Sequence, residues 1–400
     1  MIQRELYMKK IRPFINLDIV KVLTGIRRCG KSAMLELIKE ELYSAGVDER
    51  NVLSVNFESR AFDFVDSADK TYTYIRQFAA ARNAAASGKI YLFFDEIQEL
   101  PQWETMINAC MIDFDADIYL TGSNAKMLSG ELATYLAGRY VQFRIHPFSW
   151  KEILDSPQGK NDKDGFQTYL TKGGMPFLYQ FSLDDRTSKQ YLTDIYDSII
   201  LKDIISRYHI RDSDLLKRII AFFIANTGNT FSAATMMRYL KSEQRSLSTE
   251  TVYNYIDYCK NACLIHLVQR EDVIGKRLLQ FQEKLYLSDH GIREAIYGNN
   301  LRDINQILEN IVFLELLRRG YTVYVGKNGE REIDFVAVDG AERIYIQVCY
   351  LLADEEVIER EFGALETVPD NYPKYVVSMD EVERSRNGIR HMNIRDFLLG

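Results

Sequence analysis

The chain is poor in the residues that cross-link small proteins or interrupt helices. Its 400 residues include only 5 cysteines, 7 prolines, 5 histidines and 2 tryptophans. The cysteines are scattered and odd in number, which fits a reducing compartment better than a disulfide framework, so we expect a cytoplasmic protein. The few prolines and the lack of a low-complexity tract predict a chain that is ordered throughout.

Long apolar runs and a strong charge of either sign are also missing. The densest apolar stretch, IYLFF from Ile90 to Phe94, has the length of one buried strand, so we expect no membrane partner. The first residues, MIQRELYMKKIRPF, lack the apolar core and cleavage site of a secretory signal. A net charge of −7 argues against a nucleic-acid-binding surface over the whole protein, although it allows a local basic face.

A glycine-rich stretch, GIRRCGKS from Gly25 to Ser32, stands out in this ordinary globular composition. It has the spacing G-x-x-x-x-G-K-[ST], it follows the β-branched run IVKVLTG, and it precedes a helical apolar pattern that ends near Gly46. Backbone N–H groups at a helix N-terminus bind phosphate oxygens, and glycines let the backbone approach them closely. We therefore predict an ATP site with contacts from Gly25, Ile26, Arg27, Arg28, Cys29, Gly30, Lys31, Ser32 and Ala33.

Two of these residues have predicted roles of their own. Lys31 should reach the β- and γ-phosphates, and the Ser32 hydroxyl should bind Mg²⁺. We expect Cys29 to fill space in the loop. The alternative to a nucleotide site is a surface turn that matches the spacing by chance.

A second motif favours the nucleotide site over that alternative. The apolar run KIYLFFDEIQEL ends in Asp95 and Glu96, which places two acids at the carboxyl end of a buried strand, beside the loop. Asp95 suits the coordination shell of Mg²⁺, and Glu96 suits a general base for the attacking water. The alternation of strands and helices predicts an α/β fold with a parallel sheet covered on both faces.

The stretches LTGIRRCGKS, LFFDEIQELPQWE, LTGSNAKMLSGELATYLAGRY, HPFSWKEIL, LTKGGMPFLY and EIDFVAVDGAERIYIQVCY together cover nearly the whole chain. With them the chain resembles the prokaryotic AAA-superfamily P-loop ATPases that carry a C-terminal domain of unknown function. The resemblance implies ATP and Mg²⁺ as cofactors, a sensor role for Asn124 and a basic position at Arg139.

Arg139 needs a separate prediction. Because it follows a helix and a glycine and precedes a strand, we expect it at the carboxyl edge of the sheet, where it would stabilise the transferred phosphoryl group. It could act on its own nucleotide or, in a homo-oligomer, on that of a neighbour. The alternative is an arginine paired with a surface carboxylate.

The patterns divide the chain into four parts: a P-loop core (1–146), a helical lid or connector (147–211), a winged helix-turn-helix (212–275) and a restriction-endonuclease-like domain (276–400). In the third part three helices precede a strand, and Ser248 should cap the third helix. The residues expected to face DNA are Thr249, Tyr253, Asn254, Arg238, Lys241, Arg245 and Lys260. Packing against protein is an equal alternative, because Glu243, Glu250 and Asp257 dilute the positive charge.

The last part has the order helix, three strands, helix, strand, which is similar to the restriction-endonuclease-like core. Active members of that superfamily hold Mg²⁺ with an acid on the second strand and an acid-x-Lys on the third. Here Asp334 and Glu309 supply acids, but Gln347 and Cys349 replace the third-strand acid and lysine, so we expect no nuclease activity. We also expect Cys259, Cys263 and His266 to be core residues, since no fourth metal ligand lies nearby in sequence.

Two functions from different classes follow. The first is a Mg²⁺-dependent ATPase coupled to C-terminal modules that could bind DNA. The alternative is a nucleotide-gated regulatory or scaffold protein that acts on a protein partner with little turnover. Glu96 favours the ATPase, because a pure sensor needs no general base. An ATP-dependent nuclease is disfavoured by Gln347 and Cys349.

Overall fold

The computed structural model of the protein describes residues 2–83, 88–124, 136, 138–182, 184–242, 248–298 and 303–400. The chain divides into two compact units, one formed by Met1–Ile145 with Asn261–Cys263 and one by His146–Lys260 with Leu264–Gly400. Within the described ranges, no helix has both the length and the apolar character needed to cross a membrane.

The first unit is built on a five-stranded parallel sheet with the order β2-β3-β4-β1-β5. Its strands are β1 (Val20–Thr24), β2 (Val52–Asn56), β3 (Ile90–Asp95), β4 (Ala116–Gly122) and β5 (Tyr140–Arg144). Its described helices are α1 (Glu5–Ile11), α2 (Lys31–Ser44), α3 (Ala68–Asn83) and α4 (Trp103–Asp113). The predicted α/β class with a parallel sheet is confirmed.

The register of this sheet brings the ends of four strands to one edge. Every residue of β1 and β3 is buried, as expected for central strands covered on both faces. Thr24 lies opposite Gly122, and Asn56 lies opposite Asp95. The segments that follow these strands therefore meet at the carboxyl edge of the sheet, where the glycine-rich loop begins.

The second unit starts with helices, as the patterns between 147 and 211 predict. The helices in the first part of this unit are Trp150–Leu154, Lys163–Lys172, Asp185–Ser198, Ser213–Ala225, Ala233–Ser242 and Thr249–Asn261. A π-helical segment, Ile199–Ser206, extends the Asp185–Ser198 helix. The helices in the later part are His290–Tyr297, Ile304–Arg319, Glu355–Glu366 and Ile394–Leu399.

A seven-stranded mixed sheet forms the rest of the second unit, with the order β12-β11-β10-β9-β8-β6-β7. The strands are β6 (Ile265–Asp272), β7 (Arg277–Leu287), β8 (Thr322–Asn328), β9 (Arg331–Asp339), β10 (Glu342–Val348), β11 (Lys374–Ser378) and β12 (Arg390–Asn393). The hairpin of β6 and β7 joins this sheet through the parallel pairing of β6 with β8. The predicted border between 275 and 276 therefore falls in the turn of a β-hairpin.

Candidate nucleotide-binding site

The glycine-rich loop between β1 and α2 has the backbone geometry that its sequence requires. A Cβ atom on Gly25 would lie 2.2 Å from the carbonyl oxygen of Ile145, so only glycine fits there. Gly30 caps α2 with a φ of 100°, a left-handed value that favours glycine. The loop therefore enters α2 with its backbone N–H groups at the helix N-terminus, as phosphate binding requires.

Lys31 lies over this loop with its side chain buried. The Lys31 Nζ donates to the carbonyl oxygen of Gly25 at 3.2 Å and lies 3.5 Å from Glu96 Oε1. Two residues that the sequence assigns to one site are thus brought together across 65 positions of chain.

Asp95 ends β3 and is held by the ends of the neighbouring strands. The Thr121 hydroxyl donates to Asp95 Oδ1, and the Asn56 amide donates to Asp95 Oδ2 at 3.1 Å. Burial raises the pKa of Asp95, although hydrogen bonds from Thr121 and Ser32 act in the opposite direction. Ser32 and Asp95, the predicted magnesium pair, therefore lie close to each other.

Glu96 has a left-handed backbone, with a φ of 51°, which turns its side chain toward Lys31. Its N–H donates to Thr121 Oγ1 at 2.9 Å, and the Gln98 amide donates to Glu96 Oε2 at 2.6 Å. Burial by itself would raise the pKa of Glu96, but Lys31, Gln98 and Arg27 outweigh it and leave the pKa lowered. Glu96 is therefore a carboxylate at neutral pH.

Three contributors to this site were missed in the sequence. Asn56 accepts from the backbone N–H of Glu58 at 2.9 Å, and Glu58 lies 3.2 Å from Arg27 Nη1. Together with Thr121, these residues connect the loop to Asp95. The signal in the sequence is that Asn56 and Thr121 are polar residues at the ends of the apolar stretches that form β2 and β4.

The remaining loop residues have different environments. Cys29 is fully buried, and its Sγ donates to the carbonyl oxygen of Ile145 at 3.3 Å. Burial raises the pKa of the Cys29 thiol, so it acts as the space-filling residue that we expected. Ile26 is buried, Arg28 is exposed with a φ of 67°, and Ala33 is half-buried in the first turn of α2.

Asn124 lies two residues beyond β4 and is 9% exposed. Because β4 is placed between β3 and β1, Asn124 follows the strand that separates Asp95 from the loop. It therefore lies at the same carboxyl edge of the sheet as the predicted phosphate-binding residues.

The predicted position of Arg139 is wrong. Its carbonyl oxygen accepts from Val20 N at 3.0 Å, and it directly precedes β5, which starts opposite the first residue of β1. A parallel strand must begin at the amino edge of the sheet, so Arg139 lies at the edge opposite the loop. Its guanidinium donates to Asn108 Oδ1 at 3.1 Å.

In the second unit, the predicted acids come together without a metal-like ligand set. Asp334 Oδ2 accepts from Val348 N at 2.9 Å, and Asp334 N donates to Gln347 Oε1 at 3.2 Å. Glu309 Oε2 accepts from Lys284 Nζ at 3.1 Å. Cys349 is buried just after β10, and burial raises the pKa of its thiol.

The predicted DNA-facing surface is partly described. Ser248 Oγ accepts from Thr251 N at 3.1 Å and so caps the Thr249–Asn261 helix. Thr249, Tyr253 and Asn254 are exposed on that helix. The other exposed residues of the predicted surface are Arg238, Lys241, Glu250, Asp257 and Lys260. Arg245 and Glu243 lie outside the described residues.

The residues that suggested a metal ligand set have other partners or are buried. His266 Nε2 lies 2.9 Å from Ser288 Oγ, and its ring meets that of Phe313 edge-on. Cys259 and Cys263 are buried. Where the chain is described, no group of three or more histidine, cysteine or acidic residues could hold a metal ion.

Comparison with known proteins matches two parts of the chain to family models. Residues 18–154 match the AAA domain family. Residues 163–303 match a domain of unknown function, DUF8612. In solved structures, the Aeropyrum pernix ORC1 protein in complex with DNA aligns with a TM-score of 0.34 and 11% identity, over 75% of this chain and 93% of that chain. A TM-score this low carries no argument about function.

Two relatives align over most of their length. An uncharacterized protein of Methanocaldococcus jannaschii is 28% identical over 393 residues, 94% of this chain and 85% of that protein. An uncharacterized protein of Haemophilus influenzae is 36% identical over 405 residues, 100% of this chain and 99% of that protein. With an AAA domain at the phosphate-binding loop and this full-length relative, the chain belongs to the same family as the Haemophilus influenzae protein.

Proposed function

We propose that the protein binds ATP with Mg²⁺ and hydrolyses it, and that this reaction drives or gates its C-terminal modules. The observation that carries the proposal is the convergence of Lys31, Ser32, Asp95 and Glu96 at one edge of the parallel sheet. The match of residues 18–154 to the AAA domain supports nucleotide binding there.

Each of these side chains has a task in phosphoryl transfer. The loop N–H groups and Lys31 would bind the β- and γ-phosphates and neutralise their charge. Ser32 and Asp95 would hold Mg²⁺, and they fit that ion because it is usually bound by one or two protein oxygens together with phosphate oxygens and water. Bound Mg²⁺ would supply charge stabilisation for the transferred group. Glu96 would accept the proton of the attacking water.

The way in which Asp95 and Glu96 are held together favours hydrolysis over a purely nucleotide-gated scaffold. A general base must be ionised before it can accept a proton, and the lowered pKa of Glu96 keeps its carboxylate charged at neutral pH. Thr121 accepts from the N–H of Glu96 and donates to Asp95, so one hydroxyl fixes both acids. A scaffold protein with little turnover has no need of this arrangement.

The proposal is tested by Glu96→Gln, with Glu99→Gln as a matched control. Glu99 is exposed and lies in the same short 3₁₀ turn region. We expect Glu96→Gln to retain ATP binding and to lose about 100- to 10,000-fold in turnover, because removal of a general base has effects of that size. Glu99→Gln should behave as wild type in both phosphate release and nucleotide binding. Normal turnover in Glu96→Gln would remove the basis for assigning Glu96 as the base.

We also propose that Arg139 serves the nucleotide of a neighbouring copy. The first and last residues of β1, Val20 and Thr24, are four steps apart, which separates the amino edge from the loop by about 13 Å at about 3.3 Å per step. Arg139 therefore cannot reach the phosphates of its own chain. An arginine that contacts the transferred phosphoryl from another subunit lowers the barrier by neutralising the charge on its oxygens. A homo-oligomer follows from this proposal.

The DNA-binding part of the proposal rests on the helices between Ser213 and Asn261 and on the β6–β7 hairpin. The exposed face of the Thr249–Asn261 helix includes Tyr253, which is 53% exposed. Lys276 and Arg277 are exposed where the hairpin turns. In DNA-binding modules of this kind, an exposed helix face reads a groove while basic residues contact phosphates.

A further inference from the structure

A buried lysine lies at the centre of the carboxylate cluster in the second unit. Lys284, on β7, is 4% exposed. Its Nζ lies 2.7 Å from Glu332 Oε1, 3.1 Å from Glu309 Oε2 and 3.4 Å from Asp334 Oδ1. Glu309 comes from the Ile304–Arg319 helix, and both Glu332 and Asp334 come from β9. The Lys284 ammonium therefore connects β7 with the Ile304–Arg319 helix and with β9.

We call this group the Lys284 cluster (Lys284, Glu309, Glu332 and Asp334). Each of its three carboxylates accepts a hydrogen bond or ion pair from a second donor. The Tyr286 hydroxyl donates to Glu309 Oε2 at 3.0 Å, and Val348 N donates to Asp334 Oδ2 at 2.9 Å. Arg270 Nη1 lies 2.7 Å from Glu332 Oε2. These second donors hold the three carboxylates in position around Lys284.

The charges in the cluster nearly balance without any added ion. The three carboxylates of the cluster face the positive charges of Lys284 and Arg270, and the buried Glu361 near Asp334 is paired with Arg360. One excess negative charge is left if every acid is ionised. Burial and the nearby Asp334 raise the pKa of Glu309, so a proton on Glu309 removes that excess. Burial alone would lower the pKa of Lys284, but Tyr286 and the surrounding acids outweigh it and raise the pKa, so the ammonium stays charged.

The residues present do not fit the Mg²⁺ that a restriction-endonuclease-like core implies. The third-strand position carries Gln347, whose Oε1 is already an acceptor for Asp334 N. The oxygens that would bind a divalent cation between Glu309 and Asp334 already contact Lys284. The Lys284 Nζ lies 3.1 Å from Glu309 Oε2 and 3.4 Å from Asp334 Oδ1. Two cations cannot share these acceptors without strong repulsion in a buried site.

We infer that Lys284 is the resident cation of this cluster, an ammonium that takes the place of a divalent metal in the C-terminal domain. The second unit then needs no metal to balance its buried acids. The magnesium dependence of the protein resides in the nucleotide site of the first unit alone. Removal of Lys284 should turn the cluster into a site for a divalent cation, because the carboxylates stay and only the ammonium is lost.

The first experiment measures Mn²⁺ binding by full-length, nucleotide-free protein with electron paramagnetic resonance, in wild type and in Asp334→Asn. We expect the two proteins to bind the same number of Mn²⁺ ions with the same affinity, since Asp334 holds Lys284 and not a metal. An additional ion that is present in wild type and lost in Asp334→Asn would overturn the inference. The nucleotide site is unchanged in both proteins, so failure of the ATPase proposal would not alter this result.

The second experiment removes the ammonium. We expect Lys284→Ala to lower the melting temperature in EDTA, because three acids then face each other with only Arg270 beside them. Mn²⁺ should restore the melting temperature and bind with one extra equivalent, and the added Asp334→Asn substitution should abolish both effects. A folded Lys284→Ala protein that gains no Mn²⁺ site would contradict the inference. If Lys284→Ala does not fold with or without Mn²⁺, the comparison of wild type with Asp334→Asn decides alone.

Discussion

At the scale of single residues, Thr121 has the most consequential position in the nucleotide site. Its hydroxyl accepts from Glu96 N and donates to the Asp95 carboxylate, and it is fully buried at the end of β4. Valine has nearly the same shape as threonine but cannot make either bond. Thr121 therefore fixes the positions of both acids of the site.

We predict that Thr121→Val lowers ATP turnover strongly while leaving the fold intact. Loss of the hydroxyl leaves a buried N–H and a carboxylate oxygen without a partner, which should lower the free energy of unfolding by about 1–3 kcal/mol. Thr121→Ser keeps both hydrogen bonds and should retain most of the activity. Phosphate release and urea unfolding measure the two effects, and equal turnover in the valine and serine variants would contradict this role.

At the scale of elements, Asp289 joins two segments of the second unit that are distant in sequence. Its Oδ1 accepts from Gly291 N and its Oδ2 accepts from Gly174 N, both at 2.8 Å. It thereby caps the His290–Tyr297 helix and holds the turn after the Lys163–Lys172 helix. A Cβ on Gly291 would lie 2.2 Å from Lys172 O, so the backbones approach too closely there for any other residue.

This junction predicts a specific pH dependence. Burial raises the pKa of Asp289 from 3.8 to about 6, against the opposing effect of hydrogen bonds from Gly174, Gly291 and Ile292. The folded state thus binds the proton more tightly than the unfolded state, so the contribution of Asp289 to stability falls as the pH rises from about 4 to about 6 and is constant above that. Asp289→Asn cannot titrate and places an amide donor against a backbone donor.

We expect Asp289→Asn to be less stable than wild type by about 1–3 kcal/mol, since a buried donor is left without an acceptor. The difference should be larger near pH 4 than near pH 7. Urea unfolding of both proteins at several pH values measures it, and a difference that does not change between pH 4 and pH 6 would show that Asp289 does not titrate in this window.

The helices from Ser213 to Asn261 carry the prediction on DNA binding. Binding should weaken steeply with salt because phosphate contacts release counterions. Arg238→Glu with Lys260→Glu should reduce the affinity and make the salt slope shallower by about two units if both residues contact phosphates. As a control with the same change in net charge, Arg50→Glu with Lys70→Glu alters exposed residues of the first unit. Equal effects of the two pairs would indicate general attraction without a defined contact surface.

The sequence predicts the helices and strands that have a clear local pattern of apolar and turn residues. It does not predict a strand that is stabilised mainly by its pairing with distant parts of the chain. The loop, β1, β3 and the hairpin of β9 and β10 follow from apolar runs and turn residues. Strand β7, RLLQFQEKLYL, was missed because charged and amide side chains interrupt its apolar pattern. Its inward-facing charge, Lys284, is compensated only by acids that lie 25 to 50 residues further along the chain.

The candidate site was also predicted only in part. The carboxyl ends of parallel strands meet at one edge of a sheet, so the predicted residues that follow those strands lie close together whatever helices connect them. Arg139 was misplaced because the strand after it, and not the glycine before it, determines which edge of the sheet it occupies. Asn56 and Glu58 could not be assigned from spacing alone, since their role arises only when β2 pairs with β3.

At the scale of the whole molecule, the proposal that Arg139 acts across a subunit interface predicts complementation between copies. Arg139→Ala and Lys31→Ala should each lose turnover on their own, because one lacks the arginine and the other lacks a functional phosphate-binding loop. A mixture should regain part of the wild-type rate, since an intact loop of one variant meets the intact arginine of the other. The effect is measured as ATP turnover at several molar ratios of the two variants. A mixture as inactive as its components, or full activity of Arg139→Ala alone, would contradict a role across subunits.

The continuous seven-stranded sheet has a practical consequence for dissecting this protein. A fragment that stops at residue 275 would carry β6 without β7 and β8, so both edges of β6 would be left unpaired. The complementary fragment would begin with β7, which would lack its partner strand β6. The ion pairs of Lys284 with Glu309, Glu332 and Asp334 would then have to form without that partner strand. Unpaired edges of this kind promote association between chains, so such fragments should precipitate or form swapped dimers. Fragments for crystallisation or binding assays should therefore keep residues 146–400 together.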